Sequence, residues 1–459
     1  MDLAEIETSP RVFIAVATGQ AVANLPPIVD LARPGDQVLW LESETAHRGQ
    51  WSEPARGVLQ ERQIISLPGV KLPDTPADIV PVVQTVLQGL VGIQPVFVLN
   101  GGTKVMALAI ELAQMGMCCP AAYSQDRPAE YWWMPQGIGG SLERRRFVRP
   151  LSLDEVLACS GYRTPSRSAR KLWPDTRDIE PDGGGYGTDP DATGRAHQLA
   201  FEHETPYRVL RGIDPPTFGD LLTIDADGMN RWAGRAWDAA QGIMQKQASR
   251  PQERDLPAFI AGCRAEFTNI FHGARDRLRD APTNAAKTFS RLQGRDRKLG
   301  TRFELAVARR IQAWLRTHGN AFGVAEAWHN VEVCPGKEGG TTVAELDILL
   351  LLANGVLLCL ECKTYDIGLR DLDARLLSLR RAGSGLARMV LCAPVYTGFA
   401  DADWAEAVRQ KRSKINEETF PLIGLTLPGQ PECCPVEQKP WPSFEDQLAK
   451  LLQDYRPTT

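Results

Sequence analysis

Residues 344–364 read AELDILLLLANGVLLCLECKT. Most of the stretch is as apolar as a buried pair of strands, yet Glu345 and Asp347 stand at one end and Glu361 and Lys363 at the other. Asn354-Gly355 between two apolar runs signals a hairpin. Side chains alternate along a strand, so Glu345 shares a face with Asp347, and Glu361 with Lys363. The turn decides whether the two pairs meet. A two-residue Asn-Gly turn sets Asp347 opposite Cys362 and sends the acids to opposite faces. A three-residue loop Ala353-Asn354-Gly355, with Gly355 left-handed, pairs Leu352 with Val356; Asp347 then faces Glu361, and Glu345 faces Lys363. We expect the second register, because the first scatters four charges over both faces of a buried sheet.

Acids grouped in that way make a hard oxygen site suited to Mg²⁺ or Mn²⁺, with Asp347, Glu361 and Glu345 as ligands. Neighbouring carboxylates do not stay ionised together without a cation. A divalent ion would polarise a phosphodiester and activate water, while Lys363 would orient that water and offset transition-state charge. Glu304, in GTRFELAVARRI on the preceding helix, would complete the acidic cluster. The plainer alternative is a pair of salt bridges at a sheet end; the order helix-Glu, strand-Asp, hairpin, Glu-x-Lys favours catalysis.

At 459 residues the chain has room for two or three domains. Its net charge of −4 excludes a generally basic surface, so contact with nucleic acid must use local patches. The best such candidates are 287–302, with six basic residues against one Asp, and the cluster Arg409, Lys411, Arg412 and Lys414. The ten cysteines follow no small-domain spacing, and no secretory signal opens the chain, so reduced thiols in a cytoplasmic protein are expected. Cys359 and Cys362 match C-x-x-C, but on a strand their sulfurs point to opposite faces. The quoted apolar run is too short on either side of Asn354-Gly355 to span a bilayer.

Strand and helix patterns alternate over 11–125. RVFIAVATG, QVLWLES and PVFVLN read as strands; AVANLPPIVDLA, ADIVPVVQTVLQGL and KVMALAIELAQM read as helices. That rhythm predicts a parallel, Rossmann-like sheet. Residues 161–200, rich in Gly, Pro, Asp and Arg, read as linker, and 218–285 as helical with no chemical signal; Glu202-His203-Glu204 lies between them. From 291 the pattern is helix, strand, hairpin, helix, strand, helix, strand. The fold class is therefore α/β, with divisions at 1–160, 161–290 and 291–459.

Two N-terminal stretches sit where a strand ends and a helix begins, the ligand edge of an open parallel sheet. Gly19 and Gly101-Gly102 permit close backbone approach, and free helix amides attract phosphate. Thr103 and Lys104 can donate to phosphate, and Gln20 and Asn24 suit an adenine edge or ribose. Thr18 and Asn100 flank these positions and complete the candidate ligand set. Neither a P-loop nor a G-x-G-x-x-G fingerprint is present.

LDILLLLANGVLLCLECKT, preceded by the helix carrying Glu304, resembles the PD-(D/E)xK core of restriction-endonuclease-like nucleases, with Leu346 where the family's name has Pro. The resemblance implies an α/β/α nuclease domain with Asp347, Glu361, Lys363 and Glu304 as its functional residues. VFIAVATGQAVANLPPI and FVLNGGTKVMALAI resemble the ligand-binding stretches of CARF domains, which bind cyclic oligoadenylates made during type III CRISPR defence. Together the two are similar to CRISPR ancillary nucleases activated by cyclic tetra-adenylate. That implies a homodimer, each protomer gripping half of a two-fold ring, and a DNA or RNA substrate. The competing expectations are an unregulated repair or restriction nuclease and a non-catalytic nucleotide-sensing regulator.

Overall fold

The computed structural model describes residues 10–174 (except 116, 138 and 166–168), 299–395 (except 337–339 and 363–368), 422–426 and 443–458. The linker from 175, the helical stretch 218–285, Glu202-His203-Glu204, the side chains of the basic run 287–302, Lys363 and the Arg409–Lys414 cluster lie outside the described residues or side chains.

The N-terminal sheet is built from β1 (Arg11–Val16), β2 (Gln37–Glu42), β3 (Ile65–Ser66), β4 (Val70–Lys71), β5 (Gln94–Val98), β6 (Ala121–Ser124), β7 (Glu130–Met134) and β8 (Glu143–Arg146). Its order is β3-β2-β1-β5-β6-β7-β8, with β4 also paired to β2. The pairs from β3 through β6 are parallel, and β7 and β8 add antiparallel. The described helices here are α1 (Leu25–Leu31), α2 (Glu44–Arg48), α3 (Glu53–Glu61), α4 (Pro76–Gly89), α5 (Lys104–Gln114) and α6 (Leu153–Cys159). Alternate residues of β1 feed two cores: Phe13 and Ala15 face one, Val12, Ile14 and Val16 the other. Strands buried on both faces read as continuous apolar runs, which is why RVFIAV could be recognised as one.

The second sheet runs β10-β11-β12-β13-β14-β15, with β9 paired to β11. Its strands are β9 (Tyr162–Arg163), β10 (Arg170–Trp173), β11 (Val324–Pro335), β12 (Ala344–Leu352), β13 (Leu357–Cys362), β14 (Arg388–Val395) and β15 (Leu422–Thr426). Residues 162–163 and 170–173, read from sequence as linker, are thus edge strands of this sheet. Polar and turn-forming neighbours hide the short alternation in RKLW, of which Leu172 is buried. On one face lie α7 (Leu299–His318) and α9 (Phe444–Leu452), through Val307, Ile311, Leu315, Phe444 and Leu448; on the other lies α8 (Leu369–Gly383), through Leu376 and Leu379. This is the expected α/β/α layering. Cys359 joins the α8 core and Cys362 the α7 core, so the C-x-x-C pair does point to opposite faces.

One apolar core runs from Phe13, Val22 and Leu25 through α6 to Leu349, Leu357 and Leu379. Helix α6 is fixed by a capping box, Ser152 and Glu155, the sequence signature S-x-x-E. The Glu155 carboxylate also accepts from Arg62 Nε and a terminal guanidinium nitrogen at 2.5 and 2.6 Å. Burial pushes its pKa up, but the Arg62 and Ser152 hydrogen bonds outweigh burial and hold it below the usual carboxylate range. A depressed folded pKa stabilises above the unfolded value and loses that contribution as pH falls through the folded one. Glu155→Gln should therefore cost about 2 kcal/mol at neutral pH. In urea unfolding, the gap to wild type should close as the solution is acidified below the ordinary carboxylate pKa.

Among the described residues no helix is long and apolar enough to cross a membrane.

Candidate functional sites

The hairpin adopts the three-residue loop. Ile348 pairs with Leu360 and Leu351 with Leu357, Leu352 N donates to Val356 O at 2.9 Å, and Gly355 has φ +84°. Asn354 does more than turn the chain: its amide donates to the carbonyls of Gln125 and Asp126 in the N-terminal half. Extending the register one step past Ile348–Leu360 sets Asp347 opposite Glu361.

At that step the ladder opens. Leu346 and Leu349 enter one core while Ile348 enters the other, so alternation slips at Asp347. On β11 the facing position is Asn330, between the pairs His329–Ile348 and Val331–Leu346, and its φ is +53°. Asp347 Oδ2 accepts from the Cys362 amide at 2.7 Å. Asp347 is 8% exposed and Glu361 0%.

Each acid has its own partner. Glu361 lies on the α8 side, where Arg375 Nε approaches Oε1 at 2.8 Å; the same guanidinium donates to Glu345 O at 3.2 Å. Glu304 comes from α7 and meets His329 Nε2 at 2.7 Å. The Glu345 side chain is exposed, and Glu345 pairs in register with Glu332. Burial raises the Cys362 thiol well above its usual pKa, followed by Cys392 and by the charges of Asp347 and Glu304, so those two acids both bear on this end of β13. Among the described residues no three His, Cys, Asp or Glu side chains stand close enough to hold a metal. Asp347 and Glu361 supply donors of the type a hard divalent cation takes, but in this arrangement Asp347 accepts from the Cys362 amide and Glu361 pairs with Arg375. Among the described residues, Arg375 brings a positive charge to Glu361.

At the N-terminal site the two stretches touch. A Cβ on Gly101 would sit 2.3 Å from Val16 O, 2.7 Å from Thr18 Cγ2 and 2.8 Å from Asn24 Nδ2. Asn24 is fully buried and donates to Val16 O at 2.8 Å. Asn100 is tied to Ser124, donating to its Oγ at 3.0 Å and accepting from its amide at 3.0 Å. Both asparagines therefore brace the loops from below. Thr18 Oγ1 accepts from Gln20 N, and Thr103 caps α5 by accepting from Met106 N. Gly19, Gln20, Gly102, Thr103 and Lys104 form the exposed lip, with Thr18 half-buried beside it.

Three residues that the sequence left unmarked line these sites: His329, Arg375 and Trp51, whose ring lies 3.8 Å from where a Gly19 Cβ would be. His329 and Arg375 sit in strand and helix patterns that explain them as ordinary surface or core positions, so only tertiary pairing reveals them.

Fold and sites together define an α/β protein in which a Rossmann-like sheet with a glycine-lipped edge is packed on an α/β/α unit with acids at the end of its central hairpin. No protein-family model and no curated protein matches the chain. The fold is similar to that of Can2 from Sulfobacillus thermosulfidooxidans, solved in complex with cyclic tetra-adenylate, at TM-score 0.50 and 14% identity over 96% of this chain and 99% of that one. Weaker likenesses are to VC1899 from Vibrio cholerae (TM-score 0.48, 14% identity, 96% and 97% covered) and to a type III CRISPR defence DNA nuclease activated by cyclic oligoadenylate (TM-score 0.46, 17% identity), where 98% of this chain matches 53% of the other.

Proposed function

We propose that the protein is a PD-(D/E)xK-type, metal-dependent endonuclease, acting on DNA or RNA, that cyclic tetra-adenylate switches on in type III CRISPR defence. The observation that supports this reading is the three-residue hairpin loop, whose ladder runs to Ile348–Leu360, one step short of Asp347 and Glu361. Asp347 and Glu361 would hold Mg²⁺ or Mn²⁺, with Glu345 at the exposed rim and Glu304 behind. The ion, when bound, supplies Lewis acidity toward a phosphodiester oxygen and an activated water. The chain's own part is to present the carboxylates from paired strands, to exclude water around the buried Glu361, and to offer Lys363 as a proton-bearing cation next to the attacking water.

The ligand reading rests on the exposed lip at 18–20 and 102–104, where backbone amides and Lys104 suit phosphates. Helix α5 starts at this lip and carries an apolar stripe, Val105, Leu108, Leu112 and the adjacent Met115, with Leu108 59% exposed and Met115 70%. A second copy covering that stripe would bring two lips together around one two-fold ring. Calorimetry with cyclic tetra-adenylate should give one ring per two chains. Leu108→Glu should produce a monomer in sedimentation and weaken ligand binding by about a hundredfold, the loss expected when a bivalent grip becomes a single one. A stoichiometry of one ring per chain, or a variant that binds unchanged, would count against the dimeric sensor.

A further inference from the structure

The sensor lip touches the nuclease unit at two points. Val22, just after the lip, lies 2.6 Å from where a Cβ on Gly355 would be, at the hairpin tip. Gln20 Nε2, on the lip itself, lies 2.4 Å from where a Cβ on Gly385 would be, in the 3-10 turn Ser384–Leu386 that follows α8. The same two elements meet again at Glu361: the hairpin carries the carboxylate, and α8 carries Arg375, near its middle, which pairs with it.

The two elements differ in how they can move. The hairpin is a hydrogen-bonded part of the sheet and spans roughly 20 Å from Gly355 to Glu361, at the usual rise of a strand. Helix α8 lies across it through the apolar side chains of Leu376, Leu379 and Ala382, without a ladder to fix its position along the strand. At its end Gly383 lets the helix backbone ride directly on β13, since a Cβ there would meet Leu357 Cδ1 at 2.6 Å. Packed helices slide on such surfaces by small shear steps. Arg375 lies roughly 12 Å from that end, at 1.5 Å per residue.

We propose that α8 is the element that couples the ligand lip to the catalytic carboxylate, and that Arg375 is a positioning residue which holds Glu361 in a cation-free state. The inference rests on the nuclease reading above. A ligand that recruits the exposed Gln20 amide lifts it from Gly385, α8 shifts along the hairpin, and the guanidinium leaves Glu361. Withdrawal of Arg375 takes one positive charge away from a buried carboxylate and so favours entry of a divalent cation. Ligand and metal then strengthen each other's binding by the same factor.

The test is a calorimetric titration of the full chain with Mn²⁺, with and without cyclic tetra-adenylate, for wild type, Arg375→Gln and Gly385→Ala. Wild type should bind Mn²⁺ about tenfold more tightly with ligand than without. Arg375→Gln should bind tightly in both conditions. Gly385→Ala, which displaces the Gln20 amide without touching the acids, should shift the ligand-free affinity toward the ligand-bound one. If Arg375→Gln keeps the full ligand dependence of wild type, or Gly385→Ala behaves as wild type, the coupling through α8 is wrong while the metal site stands. If wild type binds Mn²⁺ equally with and without ligand, the coupling likewise fails alone. If wild type binds no Mn²⁺ in either condition, the nuclease reading falls and the inference with it.

Discussion

Glu361→Gln is expected to lower metal-dependent cleavage by about a thousandfold or more, equivalent to roughly 4 kcal/mol of transition-state stabilisation. The amide has the volume of the carboxylate, so the fully buried site is neither emptied nor overfilled. What changes is charge. A neutral amide is a poor ligand for a hard divalent cation, and it removes the only carboxylate that β13 contributes at the sheet end. The fold should survive, because the amide keeps the shape of the carboxylate beside Arg375, whose side chain is 37% exposed and keeps part of its hydration. The stability loss should stay near 1 kcal/mol, that of one weakened polar contact. Parallel cleavage assays and urea unfolding check both parts. Activity within tenfold of wild type would remove Glu361 from the chemistry.

Gly101→Ala is expected to abolish ligand binding and to destabilise the N-terminal sheet by about 3 kcal/mol, the upper range for overpacking a closed site. The added methyl would lie 2.3 Å from the Val16 carbonyl oxygen. That oxygen belongs to the end of β1 and already accepts from Asn24, so it has no room to retreat. Relief would come only by parting the two stretches that form the lip, and that would destroy the proposed ligand site. Thermal unfolding and calorimetry with cyclic tetra-adenylate check this. Gly19→Ala provides the contrast: its methyl would sit in ordinary contact with the Trp51 ring at 3.8 Å, so the fold should be little affected.

Much of the architecture could be read directly from residues 11–125 and 299–395 because there the elements are long and their periodicity is clean. RVFIAV, QVLWLE and the 344–362 hairpin are apolar on both faces, and Gly355 announced the loop that sets the register. The hairpin charges were meaningful for the same reason: acids inside an apolar run need partners. What could not be read was which partners they take. Arg375 is one of several arginines in LRDLDARLLSLRRA, and nothing local marks it as the one that reaches Glu361. His329 lies in a strand whose alternation is disturbed at Asn330, a left-handed position that the sequence does not advertise. Asn24 and Asn100 were read as ligand contacts because polar residues at a strand end suit a nucleotide; in the fold they satisfy backbone groups of Val16 and Ser124. The edge strands at 162–163 and 170–173 pair with β11 across more than 150 residues of chain, a separation that local pattern does not reveal.

The central claim is that carboxylates delivered by β12 and β13 cut a phosphodiester when the glycine-lipped edge of the other sheet is occupied. The most direct measurement is cleavage of supercoiled plasmid and of single-stranded DNA and RNA in Mn²⁺, with and without cyclic tetra-adenylate. The account predicts products only when metal and ligand are both present. Equal cleavage without the ligand, or none in the presence of both, would contradict it.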